Sequence, residues 1–403
     1  MSVSTYSWPL NDSPFSFWDR AKLCAFILNP RNRWTQGAQV KAFEEEMARY
    51  IGCEHAVFVS SGSTANTLLA MYLKDNSYTP ERDTVVFPST TWTTSVAPFV
   101  REGFKPHFLD ITIQDLSMNL DLLETYLLEH GDRVAAVFVT SLLGMCPDVV
   151  KLWKLKNRYP KVRFWMDNCE STLSTYNSCN ISDVLTSTTS TYYGHLINSV
   201  EGGFVFTNSR AERDYFLMAR NHGMTRSVAD PELYRNQDVD PRFDFHLLGN
   251  NFRNTDIAAY LGRMDLARAD RYVERRRFLY NLFASITDKN NLMRFSDRPR
   301  ALNAMFAIPL IPSVHTADAV SQQVVKDLIV DYCRDNKIET RPIISGNLLA
   351  HRAYKEYGRR EDHPVSEYVH SYGLYVGLYA GLHEDKVRAL AGFVNELDSG
   401  LSA

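Results

Sequence analysis

Between residues 55 and 208, short apolar runs alternate with longer stretches in which apolar and polar positions are interleaved. The short runs are "HAVFVS", "DTVVFPS", "KPHFLDI", "VAAVFVTSL", "VRFWMDN", "VLTSTTSTYY" and "GGFVFTN". Between them lie "STANTLLAMYLKD", "WTTSVAPFVREG", "LDLLETYLLEHG" and "VVKLWKLKNRYP". The short runs lack clean alternation, so they predict strands buried on both faces, and the interleaved stretches predict covering helices. The expectation is an α/β fold with a mostly parallel sheet of seven strands flanked by helices. Upstream, "FWDRAKLCAFIL" predicts a short helix, and "GAQVKAFEEEMARYIG" a second one that stops at Gly52.

After Asn208 the chain becomes polar and helical. A long amphipathic stretch, "NTDIAAYLGRMDLARADRYVERRRFLYNLFASI", contains the expected domain boundary. Beyond it come "NAMFAIPLIP", a helix "ADAVSQQVVKDLIVDYCRDNK", a strand "IETRPI" and a last helix "EDKVRALAGFVNELDS". The expected division is an N-terminal arm and helix over 1–30, a large domain over 31–265 and a small α+β domain over 266–403.

Composition changes this picture little. A 403-residue chain with 45% hydrophobic and 23% charged residues fits a soluble globular enzyme of more than one domain. A net charge of −3 shows no basic excess, so no nucleic-acid partner is expected. The apolar runs are too short to span a bilayer, and the start lacks a basic region followed by an apolar stretch. A cytoplasmic location without membrane contact is expected. The six cysteines are scattered without a CxxC pair and read as reduced thiols.

Four local patterns carry candidate chemistry. "SSGSTANTLL", from Ser60, follows a strand and opens a helix. Gly62 permits a tight turn, and Ser63 and Thr64 offer hydroxyl and N–H groups at a helix start that suits a phosphate. The bland alternative is an ordinary Ser/Thr cap. "FWMDNCES" ends an apolar strand in Asp167, followed by Glu170. An acid there faces the ligand crevice of a parallel sheet, to meet a protonated ring nitrogen or to cap a turn. No His/Asp/Glu cluster with metal spacing accompanies it, so no metal is expected. "PSTTWTTS" sets Trp92 just past a strand end, where it can stack on a flat ring or pack in the core. "TSTTSTYYGHLINSVEGG" sets Ser190 five residues before His195. One of Tyr192 and Tyr193 is expected to line the site while the other packs inside. His222, beside a glycine, reads as a structural cap.

The order of these patterns resembles the DegT/DnrJ/StrS sugar aminotransferases, which are fold-type-I pyridoxal phosphate enzymes. The resemblance runs from "TQGAQVKAFEEEMARYIG" through "SSGSTANTLL", "DNCES", "EGGFVFTN", "HGMTR" and "IETRPI". It implies an aspartate-aminotransferase-like architecture and a homodimer with shared sites. In that family a lysine just before the "EGG" segment forms a Schiff base with the cofactor. Here His195 holds that position, and no lysine lies between Lys161 and Lys289. An imidazole cannot form that bond, but it exchanges protons near neutral pH. The resemblance therefore implies pyridoxal or pyridoxamine phosphate bound without a covalent link.

A histidine at this place is similar to the family's 3-dehydratase branch of dideoxysugar biosynthesis. Its iron–sulfur type needs four cysteines, mostly after the histidine, and here only Cys333 follows. The cluster-free type, which acts on GDP-4-keto-6-deoxymannose with L-glutamate as amine donor and 2-oxoglutarate as by-product, is the closer resemblance. It implies His195 as acid/base. Gly62, Ser63, Thr64 and Ser190 would bind the cofactor phosphate, Trp92 and Asp167 its ring, and Glu170 would lie beside it. Asn251 would reach the partner subunit's phosphate. Arg253, Arg341, Arg226, Ser345, Asn347 and Tyr193 are the substrate candidates. Two alternatives stay open: an aminotransferase whose lysine was replaced, and a non-catalytic cofactor-binding protein.

Overall fold

The computed structural model describes residues 6–12, 15–176, 178–287, 305–312 and 319–401. Its centre is a seven-stranded sheet. The strands are β1 (His55–Val59), β2 (Thr84–Pro88), β3 (Lys105–Leu109), β4 (Val134–Thr140), β5 (Arg163–Asp167), β8 (Thr186–Ser190) and β9 (Gly203–Thr207). A two-stranded hairpin, β6 (Thr175–Tyr176) with β7 (Cys179–Asn180), stands outside the sheet. The order is β1-β9-β8-β5-β4-β2-β3. Strand β9 runs antiparallel to both neighbours, and every other pairing in the sheet is parallel. The carboxyl ends of β1, β2, β4, β5 and β8 therefore share one edge.

Both faces of the sheet are covered, which explains the unbroken apolar runs. Val57, Val59, Val85, Phe87, Phe138 and Trp165 pack under helices α3 (Gly62–Ser77), α4 (Thr93–Arg101) and α8 (Arg210–Arg220). Val86, Val137, Val139, Phe164 and Met166 face the other way, against α5 (Leu120–His130) and α6 (Val149–Arg158). Helix α2 (Ala38–Ile51) buries Val40, Phe43, Met47 and Ile51, a helical spacing, onto Phe58, Phe204 and Phe206. Gly52 ends it in the left-handed conformation at φ 96°.

Helix α1 (Phe17–Leu28) opens on a capping box made by Ser16 and Asp19, and a short helix, α7 (Ile181–Val184), precedes β8. Helix α9 (Asp256–Leu266) is separated from α10 (Ala269–Ile286) by Ala267 and Arg268. The second core lies beyond that break. Strands β10 (Ala307–Leu310), β12 (Leu374–Gly377) and β11 (Thr340–Pro342) form a three-stranded antiparallel sheet in that order. It packs with α11 (Ala319–Asp335), α12 (Pro364–Tyr372) and α13 (Glu384–Leu401). Among the described residues, no helix is long and apolar enough to cross a membrane.

Three details differ from the sequence reading. The stretch "VLTSTTSTYY" is a strand only over Thr186–Ser190, and Tyr192 and Tyr193 both lie exposed in the loop after it. Neither tyrosine packs in the core. The central strand of the small sheet, β12, and helix α12 were not anticipated.

Candidate active site

At the shared strand edge, helix α3 starts directly after β1. Ser61 closes a capping box: its hydroxyl accepts from the Thr64 N–H at 3.1 Å, and the Thr64 hydroxyl accepts from the Ser61 N–H at 3.0 Å. Thr64, expected at the cofactor phosphate, has its hydroxyl and N–H engaged in this cap. The N–H groups of Gly62 and Ser63 find no acceptor among the described residues, so the helix start keeps two donors for an anion.

Gly62 is needed for closeness. A Cβ there would stand 2.9 Å from the Ser190 Cβ and 3.0 Å from the Cys169 Sγ. Beneath the turn, a Cβ on Gly203 would lie 2.4 Å from the Ser61 carbonyl carbon and 2.5 Å from the Gly62 nitrogen. The glycine of "EGG" thus lets β9 run under the phosphate-type turn.

Asp167, at the end of β5, is 3% exposed. Its Oδ2 accepts from Asn66 Nδ2 at 2.9 Å and from the Ser95 hydroxyl at 2.7 Å, and its Oδ1 from the Cys169 N–H at 3.1 Å. Asn66 is itself held by the Thr188 hydroxyl at 2.6 Å. Three donors therefore converge on the carboxyl group at the strand end. Sequence reasoning missed Asn66 and Ser95; the signal was a buried asparagine on the apolar face of α3.

His195 is half-buried in the loop after β8. Its Nδ1 lies 3.3 Å from the Ser190 carbonyl, and its ring meets Tyr192 and Phe306 edge-on at 6.0 and 5.8 Å. Burial pulls the imidazole down to about 4, against the pull of the Ser190 carbonyl and Asp167. With Nδ1–H donating to Ser190, Nε2 carries a free lone pair. A neutral ring of this kind accepts a proton at pH 7.

Glu170 accepts from the Leu143 N–H at 2.9 Å, and burial pushes its carboxyl up to about 7. The Cys169 thiol is also pushed well up by burial and by Asp167. Trp92, 50% exposed, sits at the start of α4 with its ring outside the core.

The remaining candidates divide. Arg226 and Arg253 line one cavity of about 390 Å³ with Arg33, Gln36, Arg220 and Asn221. Asn251 is exposed, and its Oδ1 accepts from Arg253 Nε, a lining residue, at 2.9 Å. Arg341, exposed on β11, pairs with Glu339. Ser345 donates to the Thr91 carbonyl at 2.5 Å and so packs its loop against the Trp92 turn. Asn347, a substrate candidate, is wholly buried, donates to the Arg360 carbonyl and Glu367, and caps Leu349. His222 takes a left-handed turn at φ 62°, as a cap would. Among the described residues, no group of three or more His, Cys, Asp or Glu could hold a metal ion.

The sequence pattern of the DegT/DnrJ/EryC1/StrS aminotransferase family matches residues 23–395. The chain belongs to this family. Among DegT/DnrJ/EryC1/StrS relatives, the GDP-4-keto-6-deoxy-D-mannose 3-dehydratase of Yersinia pseudotuberculosis is 28% identical over 373 residues, 90% of this chain and 92% of that one. A solved GDP-4-keto-6-deoxymannose-3-dehydratase with a trapped PLP–glutamate geminal diamine is 24% identical. It superposes with a TM-score of 0.86 over 96% of this chain and 100% of that one. Another, a histidine-to-asparagine mutant with bound GDP-perosamine, is also 24% identical and gives 0.85 over 96% and 100%. These likenesses establish the fold as that of fold-type-I pyridoxal phosphate enzymes.

Proposed function

We propose that this chain is a pyridoxamine phosphate-dependent 3-dehydratase of a nucleotide-linked 4-keto-6-deoxyhexose, with GDP-4-keto-6-deoxy-D-mannose as substrate and GDP-4-keto-3,6-dideoxy-D-mannose as product. The observation that carries this reading is His195, an imidazole just before "EGG", where the resemblance puts the family's Schiff-base lysine. The site fits the cofactor. Two unpaired N–H groups at the start of α3, with Ser190 beside them, suit a phosphate, and the buried, donor-surrounded Asp167 suits a pyridinium.

When bound, the cofactor supplies an amine for the sugar C4 ketone and a ring that takes up an electron pair. The protein's part is positioning and proton movement. Gly62, Ser63 and Ser190 would hold the phosphate, and Trp92 and Asp167 would hold the ring. His195 Nε2 takes the proton whose removal drives the elimination, and returns it to the departing C3 hydroxyl as water. L-Glutamate supplies the two electrons that replace C–OH by C–H, leaving 2-oxoglutarate and ammonia. Arg226, Arg253 and Arg341 present guanidinium forks for a carboxylate or diphosphate. Asn251, exposed beside Arg253, serves the partner's site in a homodimer. The Yersinia relative's activity, the GDP-sugar in one solved relative and the glutamate adduct in another support this assignment.

The deciding experiment combines protein, cofactor, L-glutamate and a GDP-4-keto-6-deoxysugar. A 3-deoxy sugar with ammonia release is expected. A 4-aminosugar product would make the chain an aminotransferase and sink the proposal. His195→Asn should stop elimination while cofactor binding persists; a binding protein would show no turnover in either form.

A further inference from the structure

The loop that carries His195 is held from outside by one buried carboxylate. Asn198, three residues after the histidine, spends both polar groups of its side chain on the loop's shape. Its Nδ2 donates to the Tyr193 carbonyl at 2.6 Å, and its Oδ1 accepts from the Val200 N–H at 2.7 Å. Val200 takes φ 73°, a strained backbone for a β-branched residue. Strain of this kind persists where surroundings over-determine it, and it clusters at functional sites. The Asn198 N–H leaves the loop and donates to Asp265 Oδ2, in the last turn of α9, at 2.9 Å.

Asp265 is 1% exposed, and the Tyr272 hydroxyl occupies its other oxygen at 3.0 Å. Arg268 and Arg276 are the cations facing it, and Arg268 is tied in turn to Asp19 of α1. Arg276 donates to the Phe306 carbonyl at 3.1 Å, and the Phe306 ring forms one wall of the His195 lodging. One buried ion cluster therefore holds the histidine loop from below and the wall beside it.

We propose that Asp265, which lies outside the substrate site, is a positioning residue: its carboxylate, acting through Asn198, holds His195 in its reactive orientation, and protonating it releases the loop. The inference rests on His195 being the reacting group. Burial pushes the Asp265 carboxyl up to about 6 even though the N–H, the tyrosine and both arginines favour its charged form. A protonated carboxyl loses its charge and turns one acceptor into a donor; the Tyr272 hydroxyl can turn to accept it, but the neutral group holds the Asn198 N–H more weakly than a carboxylate does. Turnover should therefore fall with an acid limb near pH 6, above the value of about 4 for His195 itself.

Three variants of the full-length enzyme test this. Asp265→Asn should lower kcat roughly 10- to 100-fold, the loss expected for a small misplacement, with KM for the nucleotide sugar little changed and the limb abolished. Tyr272→Phe removes a donor that stabilises the carboxylate, so the limb should move up by roughly 0.5–1 pH unit. This milder change keeps the test open if Asp265→Asn folds poorly. Without cofactor, nitrogen NMR of the histidines, with His195 assigned by its loss in His195→Asn, should show the single Nδ1–H form in wild type. In Asp265→Asn it should show mixed tautomers and a titration nearer the ordinary value. If both variants keep the wild-type limb and the His195 signal is unchanged, the inference is overturned. If His195→Asn retains turnover, the catalytic assignment fails instead.

Discussion

Adding one methyl group at Gly203 should damage the cofactor cradle without touching any polar side chain. The new Cβ would meet the Ser61 carbonyl carbon at 2.4 Å, its oxygen at 2.5 Å and the Gly62 nitrogen at 2.5 Å. All are backbone atoms, so no side chain can swing aside. Normal contact is about 3.4 Å or more, so the start of α3 must retreat by roughly an ångström or β9 must bend; overpacking of this sort costs about 1–3 kcal/mol. The retreat would also carry the Gly62 and Ser63 N–H groups away from a phosphate. Hydrogen bonds to a charged group are worth about 1.5–3 kcal/mol each, so losing one weakens cofactor binding roughly 10- to 100-fold.

Gly392, on α13, supplies the control. A Cβ there meets nothing within 4 Å, so Gly392→Ala should stabilise by about 0.5–1 kcal/mol through the unfolded chain. Thermal unfolding and cofactor titration by absorbance would be measured on both variants. Wild-type melting and affinity in Gly203→Ala would refute the close-approach argument.

Other outcomes follow from the same geometry. Asn66→Ala removes a donor from Asp167 and strands the Thr188 hydroxyl; cofactor affinity measured by titration should drop about tenfold or more. Glu170 titrates higher in the fold (about 7) than its ordinary 4.5, so the folded state holds more protons between those values and loses stability as pH rises through them. Glu170→Gln should therefore unfold later than wild type above pH 7, by about 1–3 kcal/mol, with the gap closing below pH 4.5. His195 runs the other way: its folded value of about 4 lies below 6.5, so the stability of its neutral form is present above pH 6.5 and lost on acidification toward 4. Denaturant melts across that window should show a shallower slope for His195→Asn.

Much of this fold was legible because each sheet strand is a short apolar run between turn signals. The strand "LYVG" escaped notice because four residues beside a tyrosine-rich helix end carry no readable period. The site was legible where it depends on chain order: Asp167 and Ser190 end strands, and Gly62 and His195 follow strand ends. It was illegible where contacts join distant segments. Asn66 touches Asp167 across 101 residues, and Asp265 touches Asn198 across 67. Local sequence also does not show that the polar groups of Thr64 and Asn347 are engaged in a cap and a buried turn.

The reversed direction of β9 has a bearing on how such enzymes diversify. Because β8 and β9 are antiparallel neighbours, the chain leaves and re-enters the sheet at one edge, and residue 195 rides on a short excursion pinned at both ends. No crossover helix depends on that residue, and neither the turn at Gly62 nor the donors around Asp167 touch it. Exchanging an amine for an imidazole there would leave the turn at Gly62 and the donors around Asp167 in place. The reaction would change while the architecture stayed still.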